Sequence, residues 1–218
     1  MRISYAIPVC NELKEIKNLV SFLLEHKREE DEIVVLFDET NGTTEVEKYL
    51  DATITYHKKP FKGDFSEHKN YLKSLCTGDW IFQIDADELP TYFLITNLPG
   101  VLKSNPTTDL FLVPRINTVK GLTQEHITKW GWRVNEKGWV NFPDYQTRIL
   151  QNHPKISWGS RVHEVILGHD TYAPLPSEEE WCILHNKEID RQIAQNDLYD
   201  SLGEISYAVG DGIDPRVK

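Results

Sequence analysis

The sequence predicts an α/β fold built around a mostly parallel β-sheet flanked by helices. Over about the first 90 residues, short apolar runs of strand length alternate with amphipathic helical segments, which is typical of βαβ units. Residues 33–37 are continuously apolar, as in a strand that is buried on both faces of a sheet. Residues 80–84 form a similar run, which ends abruptly in carboxylates.

Periodicity and capping residues define each element of the first half of the chain. Residues 3–8 predict the first strand, and Asn11 is a good N-cap for a helix from about residue 12 to 27. Asn41 and Gly42 predict a turn after the second strand. The other predicted elements here are strands at 32–37, 52–56 and 80–84, helices at 44–50 and 66–76, and a basic loop at 57–63.

The second half predicts a partly antiparallel extension of the sheet with long loops. Its apolar runs are shorter, and tryptophans alternate with glycines between residues 130 and 159. Strands are expected at 109–113, 146–150, 156–158, 162–167 and 181–184. Helices are expected at about 90–98 and 188–208, and the tail after residue 208 should be loose.

Composition and charge exclude several classes of protein. The chain has 218 residues, 39% hydrophobic and 27% charged, and a net charge of −10, which argues against nucleic acid or an anionic membrane as the main partner. No stretch approaches the 18 apolar residues of a membrane span. The start of the chain lacks a signal-peptide core, and three widely spaced cysteines give no disulfide framework. We therefore expect a reducing, cytoplasmic location.

The acidic stretch after residue 84 predicts a metal site. In an extended segment Asp85 and Asp87 point to the same side, with the small residue Ala86 between them. Two carboxylates so close repel each other unless a positive charge lies between them. A divalent ion such as Mg²⁺ or Mn²⁺, completed by phosphate oxygens of a substrate, would satisfy both. Alternatively, Asp87 and Glu88 simply precede a helix, where acids complement the helix dipole.

Polar groups follow three of the predicted strands at one edge of the sheet. They lie at residues 8–12, 38–41 and 85–88. Ligands of open α/β sheets bind beyond this carboxyl edge, although a solvated edge would also be polar. The chain has no GxxxxGK[ST] loop and no GxGxxG after its first strand, which argues against a P-loop kinase and a nicotinamide enzyme. A diphosphate would have to be held by a metal and side chains.

Several segments, in this order and spacing, resemble inverting family 2 glycosyltransferases with the Rossmann-like GT-A fold. Residues 6–12 resemble their opening motif, and Asp38 with Asn41 and Thr43 resembles their nucleobase-binding segment. Residues 64–70 and 78–88 resemble their Lys/Arg-Asn helix and their acidic metal motif. Residues 158–164 resemble a segment of lipopolysaccharide-core-type members, whereas the likeness over residues 91–150 is weak.

The resemblance implies transfer of a sugar, with inversion, from a nucleotide-sugar to a hydroxyl of a glycan acceptor. A UDP-sugar is the expected donor, since Asp38 can accept a hydrogen bond from a uracil N–H. The implied donor-binding residues are Pro8, Glu12, Asp38, Lys69, Asp85 and Ala86. Lys69 stands where many members have arginine, so a bidentate contact is lost there. Asp38 could instead only cap the turn before Gly42.

The implied metal ligands are Asp85, Asp87 and His185, and the imidazole favours Mn²⁺ somewhat over Mg²⁺. The implied organisation is a single domain over residues 1–218. Its expected parts are a nucleotide-binding half (1–90), an acceptor-binding half (91–187) and a C-terminal helix and tail (188–218). His185 could also be an ordinary half-buried histidine.

Inverting transfer needs a general base that takes the acceptor proton. Glu164 is the expected base and Asp144 the reserve candidate, while His163 is expected to be structural. Glu164 could alternatively be the outward residue of a hairpin strand. Tryptophans usually belong to the core, but their apolar faces also stack on sugars. The candidates for acceptor stacking are Trp132, Trp139 and Trp158.

Three other functions compete with sugar transfer. A phosphatase of the haloacid-dehalogenase type would place its Asp-x-Asp at the end of the first strand, whereas here the motif follows the fourth predicted strand. A sugar-phosphate nucleotidyltransferase would require a Gly- and Arg-rich loop at residues 9–12. A non-catalytic carbohydrate-binding module could use the tryptophans but would have no need of the acidic pair.

Overall fold

A large mixed β-sheet runs through the centre of the protein. The structure is a computed structural model that describes residues 1–161 and 164–202. The strands are β1 (Ile3–Val9), β2 (Glu32–Asp38), β3 (His57–Lys59), β4 (Trp80–Gln83), β5 (Glu88–Pro90), β6 (Leu110–Lys120), β7 (Val140–Gln151), β8 (Ser157–Gly159), β9 (Val165–Leu167), β10 (Tyr172–Pro174) and β11 (Ile183–Glu188). The helices are α1 (Leu13–His26), α2 (Thr44–Thr53), α3 (Phe65–Leu75), α4 (Tyr92–Ser104), α5 (Gln124–Trp130) and α6 (Ile189–Leu202).

The strand order confirms the predicted mostly parallel sheet with an antiparallel extension. Within the described residues the order is β3-β2-β1-β4-β7-β6-β11-β5, and β10 pairs with β6. Strands β3, β2, β1 and β4 are parallel neighbours, and β7 is antiparallel to both β4 and β6. Strand β11 is parallel to β6 and antiparallel to β5, while β8 and β9 form a separate hairpin.

Alternation along the central strands supplies a core on each face of the sheet. Ile3, Tyr5 and Ile7 of β1 are buried on one face together with apolar residues of α1, α2 and α4. Ala6 lies on the other face, which packs against α3 and the β8–β9 hairpin. Helices therefore cover both faces, as continuously apolar parallel strands require.

The third predicted strand, residues 52–56, is wrong. Helix α2 continues to Thr53, because Val46 and Leu50 give it a buried face and Ile54 caps it by donating its N–H to the Leu50 carbonyl. The strand forms instead at His57–Lys59, where the sequence predicted a basic loop and where the backbone can pair with β2. Ile54 and Tyr56 still pack against the core, which explains their alternation.

The second half differs more from the prediction. The predicted strands at 109–113 and 146–150 correspond to the first part of β6 and the last part of β7, which pair with each other in a long antiparallel ladder. The predicted strand at 181–184 begins as a short 3₁₀ turn at Glu179–Trp181 and becomes β11. Helix α5 and strand β10 were not predicted. The predicted strand at 162–167 is shorter, at β9, while residues 162–163, including His163, and the predicted helix and tail beyond 202 lie outside the described residues.

Helix α3 holds the β8–β9 hairpin through one asparagine. The Asn70 side chain donates its Nδ2–H to the Trp158 carbonyl at 2.8 Å and accepts the Trp158 N–H at Oδ1, also at 2.8 Å. Arg161 adds a second link, because its carbonyl accepts the Phe65 N–H at 3.0 Å and its Nε donates to the Gly63 carbonyl. The hairpin is thereby fixed to helix α3 in addition to its packing on the central sheet.

Within the described residues, we find no helix with both the length and the apolar character needed to cross a membrane.

Replacing Asn70 by alanine should lower the free energy of unfolding by about 1–3 kcal/mol, because the buried Trp158 N–H and carbonyl lose their partners. The measurement is urea unfolding followed by tryptophan fluorescence. The control is Asn97→Ala, since the Asn97 amide is exposed and donates to the Phe93 carbonyl and the Thr96 hydroxyl of its own helix. An Asn70→Ala protein no less stable than this control would refute the role of Asn70.

Candidate functional site

A cleft of about 900 Å³ opens at the carboxyl ends of β1, β2 and β4. Nearly all the site residues predicted from the sequence line it: Pro8, Glu12, Asp38, Lys69, Asp85, Ala86, Asp87, Trp132, Asp144, Trp158, Glu164 and His185. Trp139 is the exception among the described residues. Its ring packs against Phe142 and under the Lys137 ammonium, so stacking of Trp139 on an acceptor in this cleft has no support.

Asp87 and His185 come together although they are 98 residues apart in sequence. Asp87 Oδ2 lies 3.3 Å from His185 Nε2. Strand β11 places His185 opposite Glu88 on one side and Asn117 on the other. His185 Nδ1 lies 2.7 Å from Asn117 Oδ1, which can only accept, so Nδ1 donates to Asn117 and Nε2 faces Asp87.

The environment of Asp87 keeps its carboxylate ionised. Burial alone would raise the pKa of Asp87, but the His185 hydrogen bond, the His185 charge and Lys187 lower it to about 2. Arg191 adds a further cation, with its Nη2 at 3.4 Å from Asp87 Oδ2. At neutral pH this position therefore presents a full negative charge next to His185 Nε2.

The sequence predicted that Asp85 would share a metal ion with Asp87. In the structure, both carboxylate oxygens of Asp85 accept hydrogen bonds from other side chains. Its Oδ2 accepts from Arg148 Nη2 at 2.5 Å and its Oδ1 from Gln83 Nε2 at 2.7 Å. Burial would raise the pKa of Asp85, yet the charges of Arg148 and Lys69 hold it well below its usual range. Within the described residues, no group of three or more His, Cys, Asp or Glu side chains is arranged to hold a metal ion.

The remaining pair still fits a divalent ion. With metal–ligand bonds of about 2.1 Å, adjacent ligands of an octahedral ion lie about 3 Å apart, close to the 3.3 Å between Asp87 Oδ2 and His185 Nε2. The Nδ1–H bond to Asn117 is the usual outer contact that orients a metal-ligating histidine. A site with two protein ligands leaves most positions of the ion to water or substrate phosphates.

A buried chain of alternating charges lies behind this pair, and it was not predicted. Arg148 bridges Asp85 and Glu88, and Arg115 bridges Glu88 at 3.0 Å and Asp144 at 2.7 Å. Glu88 and Arg148 are almost fully buried, at 1% and 4% exposure. The only hint in the sequence is that both arginines interrupt apolar strand segments; the identity of their partners depends on the pairing of β4, β6 and β7.

Asp144, the reserve candidate for the base, is saturated by this network. Its Oδ2 accepts from Arg115 and from Asn117 Nδ2, and its Oδ1 accepts from Gln146 Nε2 at 2.7 Å. Burial would raise the pKa of Asp144, but the Arg115 charge and these hydrogen bonds lower it. A carboxylate so engaged is poorly suited to accept a proton.

Glu164, the expected base, is paired with Lys69 instead of standing alone. Lys69 Nζ lies 2.8 Å from Glu164 Oε1, and both side chains are largely buried, at 11% and 15% exposure. The same ammonium lies 4.7 Å from the centre of the Trp158 ring. The structure therefore places Lys69 beside Glu164, whereas the sequence assigned it to the nucleotide.

Asp38 and Glu12 shape the loops that follow β2 and β1. Asp38 accepts hydrogen bonds from the backbone of Thr40 and Phe61 and from the Asn41 amide, at 2.8–2.9 Å. Burial would raise its pKa, but these bonds lower it. Glu12 Oε2 accepts the N–H groups of the two preceding residues, at 2.9 and 3.0 Å. Both carboxylates line the cleft and also hold its loops, which the turn-capping alternative for Asp38 anticipated.

A cleft at the carboxyl edge of a mostly parallel sheet is the place where proteins with open α/β sheets bind their ligands. In sequence, the model of the family "Glycosyl transferase family 2" matches residues 4–163. The chain therefore belongs to glycosyl transferase family 2, a family of enzymes. None of the curated proteins matches the chain in sequence.

Solved structures support the fold. S. aureus TarS 1-349 in complex with UDP superposes with a TM-score of 0.58 at 13% identity, covering 85% of this chain and 60% of TarS. The complex of the same fragment with UDP-GlcNAc gives 0.57 at 14% identity, covering 86% and 59%. This chain thus spans about 60% of the TarS fragment, and the likeness shows the GT-A fold alone.

Replacing Arg148 by methionine should lower the free energy of unfolding by about 3–5 kcal/mol, because Asp85 and Glu88 are left as buried, unpaired charges. Urea unfolding measures this. Arg133→Met, at an exposed position, should change stability by less than about 0.5 kcal/mol. Equal stability of the two variants would contradict the assignment of Arg148 as the ion that compensates these acids.

Proposed function

We propose that this protein transfers a sugar from a UDP-sugar to a hydroxyl of a saccharide acceptor, with inversion and with a divalent metal ion. The observation that carries the proposal is a single cleft that holds both the Asp87–His185 pair and the Lys69–Glu164 pair. The first pair provides a place for the leaving group and the second a base. TarS, whose fold is similar, was crystallised with UDP and with UDP-GlcNAc, which supports a uridine donor.

Asp87 and His185 would hold the ion. When bound, Mn²⁺ or Mg²⁺ would neutralise charge on the departing diphosphate as a Lewis acid, and the imidazole ligand favours Mn²⁺. The Asn117 contact keeps the His185 ring in the orientation that such a site needs.

Asp85 would bind the ribose of the donor. About a third of its side chain is exposed, although Arg148 and Gln83 fix its position. A carboxylate held in place accepts hydrogen bonds from ribose hydroxyls without losing further conformational freedom. Pro8, Ala86 and Glu12 would line the same part of the cleft, with Asp38 near the base.

Glu164 would act as the base and Lys69 would orient it. A base must lie within hydrogen-bond reach of the acceptor hydroxyl, and a side chain held at 2.8 Å by a buried ammonium has a defined position. Asp144 is the weaker candidate because Arg115, Asn117 and Gln146 already occupy its oxygens.

Trp132 is the best candidate for stacking on the acceptor. It lines the cleft and is half-buried, whereas Trp158 is 7% exposed and its ring lies under the Lys69 ammonium. This distribution supports the proposed division into a nucleotide half (residues 1–90) and an acceptor half (91–187), although Lys69 of the first half serves the second. The cysteines are unpaired, which supports the proposed cytoplasmic location.

The competing functions have less support. Strand β1 ends at Val9 without an acidic pair, so a haloacid-dehalogenase phosphatase lacks its nucleophile. A nucleotidyltransferase lacks the Gly- and Arg-rich loop at residues 9–12. A binding module gives no reason for the chain of buried charges beneath the cleft.

The donor site can be tested with UDP and Mn²⁺ by thermal shift. UDP at about 100 times its dissociation constant should stabilise the wild-type protein by about 2.7 kcal/mol. That is a rise in melting temperature of about 5–10 °C for a domain of this size. The shift should require Mn²⁺ and should vanish in Asp87→Ala. Asp170→Ala, at an exposed carboxylate, should keep it. A UDP shift that persists in Asp87→Ala would show that the site is elsewhere.

The base can be tested with Glu164→Gln and Lys69→Met. Each should keep UDP binding, whereas Glu164→Gln should lose about 10²–10⁴-fold in turnover, as expected for loss of a general base. The readout is UDP release from those UDP-sugars of a panel that stabilise the wild-type protein. Full turnover in Glu164→Gln would transfer the role to Asp144. Loss of UDP binding in Lys69→Met would show that Lys69 binds the nucleotide, as the sequence predicted.

A further inference from the structure

Arg191 lies where the first turn of α6 meets the rim of the cleft. Its Nη2 lies 3.0 Å from Glu12 Oε1 and 3.4 Å from Asp87 Oδ2, and its Nη1 lies 3.7 Å from Glu15 Oε1. The guanidinium thus connects α6 with α1 and with the acidic segment that follows β4. Its side chain is 35% exposed, and Arg191 lines the cleft.

The contact with Asp87 involves the oxygen that faces His185. Asp87 Oδ2 has His185 Nε2 at 3.3 Å and Arg191 Nη2 at 3.4 Å. A divalent ion held by Asp87 and His185 would lie close to the guanidinium and repel it. The carboxylate therefore cannot serve the ion and Arg191 fully at the same time.

Arg191 is better able to leave its present partners than Arg115, Arg148 and Lys69, which also line the cleft. Arg115 and Arg148 are each held between two acids and are 18% and 5% exposed, and Lys69 is 11% exposed on Glu164. The contacts of Arg191 with Asp87 and Glu15 are longer, at 3.4 and 3.7 Å, and its side chain is more exposed than those three. Glu12 stays anchored without Arg191, because backbone N–H groups hold its second oxygen.

A donor diphosphate brings the charge that Arg191 could then bind. A guanidinium binds phosphate oxygens through two parallel hydrogen bonds, and phosphate is a stronger partner than a partly exposed carboxylate. Strand β11 runs directly into α6, so Arg191 is only six residues from His185 and stays close to the proposed ion. A short movement of this long side chain would carry its charge from the carboxylates to the phosphates.

We propose that Arg191 is an exchangeable counter-charge. In the ligand-free protein it neutralises Asp87 and Glu12, and when the metal ion and the donor enter it releases Asp87 and binds the diphosphate. This inference rests on the proposed function. It adds that one side chain competes with the metal ion and assists the leaving group.

If Arg191 exchanges between Asp87 and the diphosphate, its removal should change the affinities for the metal ion and for phosphate in opposite directions. A contact that only holds α6 in place would not do this. In Arg191→Met the affinity for Mn²⁺ alone should rise by about two- to fivefold, because a competing ion pair at Asp87 is gone. The affinity for pyrophosphate at saturating Mn²⁺ should fall by about 10- to 100-fold, because charge-assisted hydrogen bonds are lost. Arg191→Lys should recover part of the pyrophosphate affinity, since it restores the charge without the planar fork.

The experiment is calorimetric titration of the wild-type protein, both variants and the control Arg133→Met with Mn²⁺ and then with pyrophosphate. Pyrophosphate makes the test independent of the nucleobase and the sugar. Opposite changes for the two ligands in Arg191→Met, with neither in Arg133→Met, support the exchange. If Arg191→Met loses affinity for both ligands, Arg191 only holds α6 in place. If neither affinity changes, Arg191 acts on neither the metal ion nor the phosphate. Either result overturns this inference but leaves the proposed function standing. Absence of Mn²⁺-dependent pyrophosphate binding in the wild-type protein would overturn the proposed function together with it.

Discussion

The site depends on the buried ion pairs of Arg148 with Asp85 and Glu88. Glu88 is almost entirely shielded from water, and a lone carboxylate there would be strongly unfavourable. Arg148 comes from β7, so the antiparallel pairing of β7 with β4 is what delivers its charge to the end of β4. A buried ion pair gives little net stability compared with apolar packing, but removal of one partner is severely destabilising. The acidic edge of the sheet can therefore exist only in this pairing of strands.

The same charges continue through Arg115 to Asp144, Asn117 and His185. Each acceptor along this path has a donor from another strand of the sheet, so the groups around the cleft are fixed before any ligand binds. Fixed dipoles and charges are effective in catalysis because they need no reorganisation when charge develops. The path also determines which carboxylates are held by protein cations. Asp85 and Asp144 belong to it and are held by arginines, whereas Asp87 lies at its open end.

The part of this arrangement that could be predicted from sequence is the part that local patterns encode. Apolar runs gave the central strands, and the polar residues at their ends gave the position of the cleft. The partners of Asp85 could not be predicted, because Arg148 is 63 residues away and its register with β4 depends on bulged pairing between β6 and β7. The predicted strand at 52–56 is wrong because a local pattern was present without strand pairing. Ile54 and Tyr56 do alternate with polar residues, but they pack against the core outside the sheet. The residues that pair with β2 are the basic ones that follow.

Helix α3 shows why motifs of this kind resist assignment from sequence alone. Residues 64–70 resemble a nucleotide-binding segment, yet in the structure Lys69 pairs with Glu164 and Asn70 holds Trp158. The adjacent side chains of Lys69 and Asn70 therefore position Glu164 and the β8–β9 hairpin, respectively. Burial raises the pKa of Asp85, and the charges of Arg148 and then Lys69 lower it. Helix α3 thus connects two parts of the cleft, the Lys69–Glu164 pair and Asp85, and a change at Lys69 or Asn70 would alter the position of Glu164 relative to Asp85.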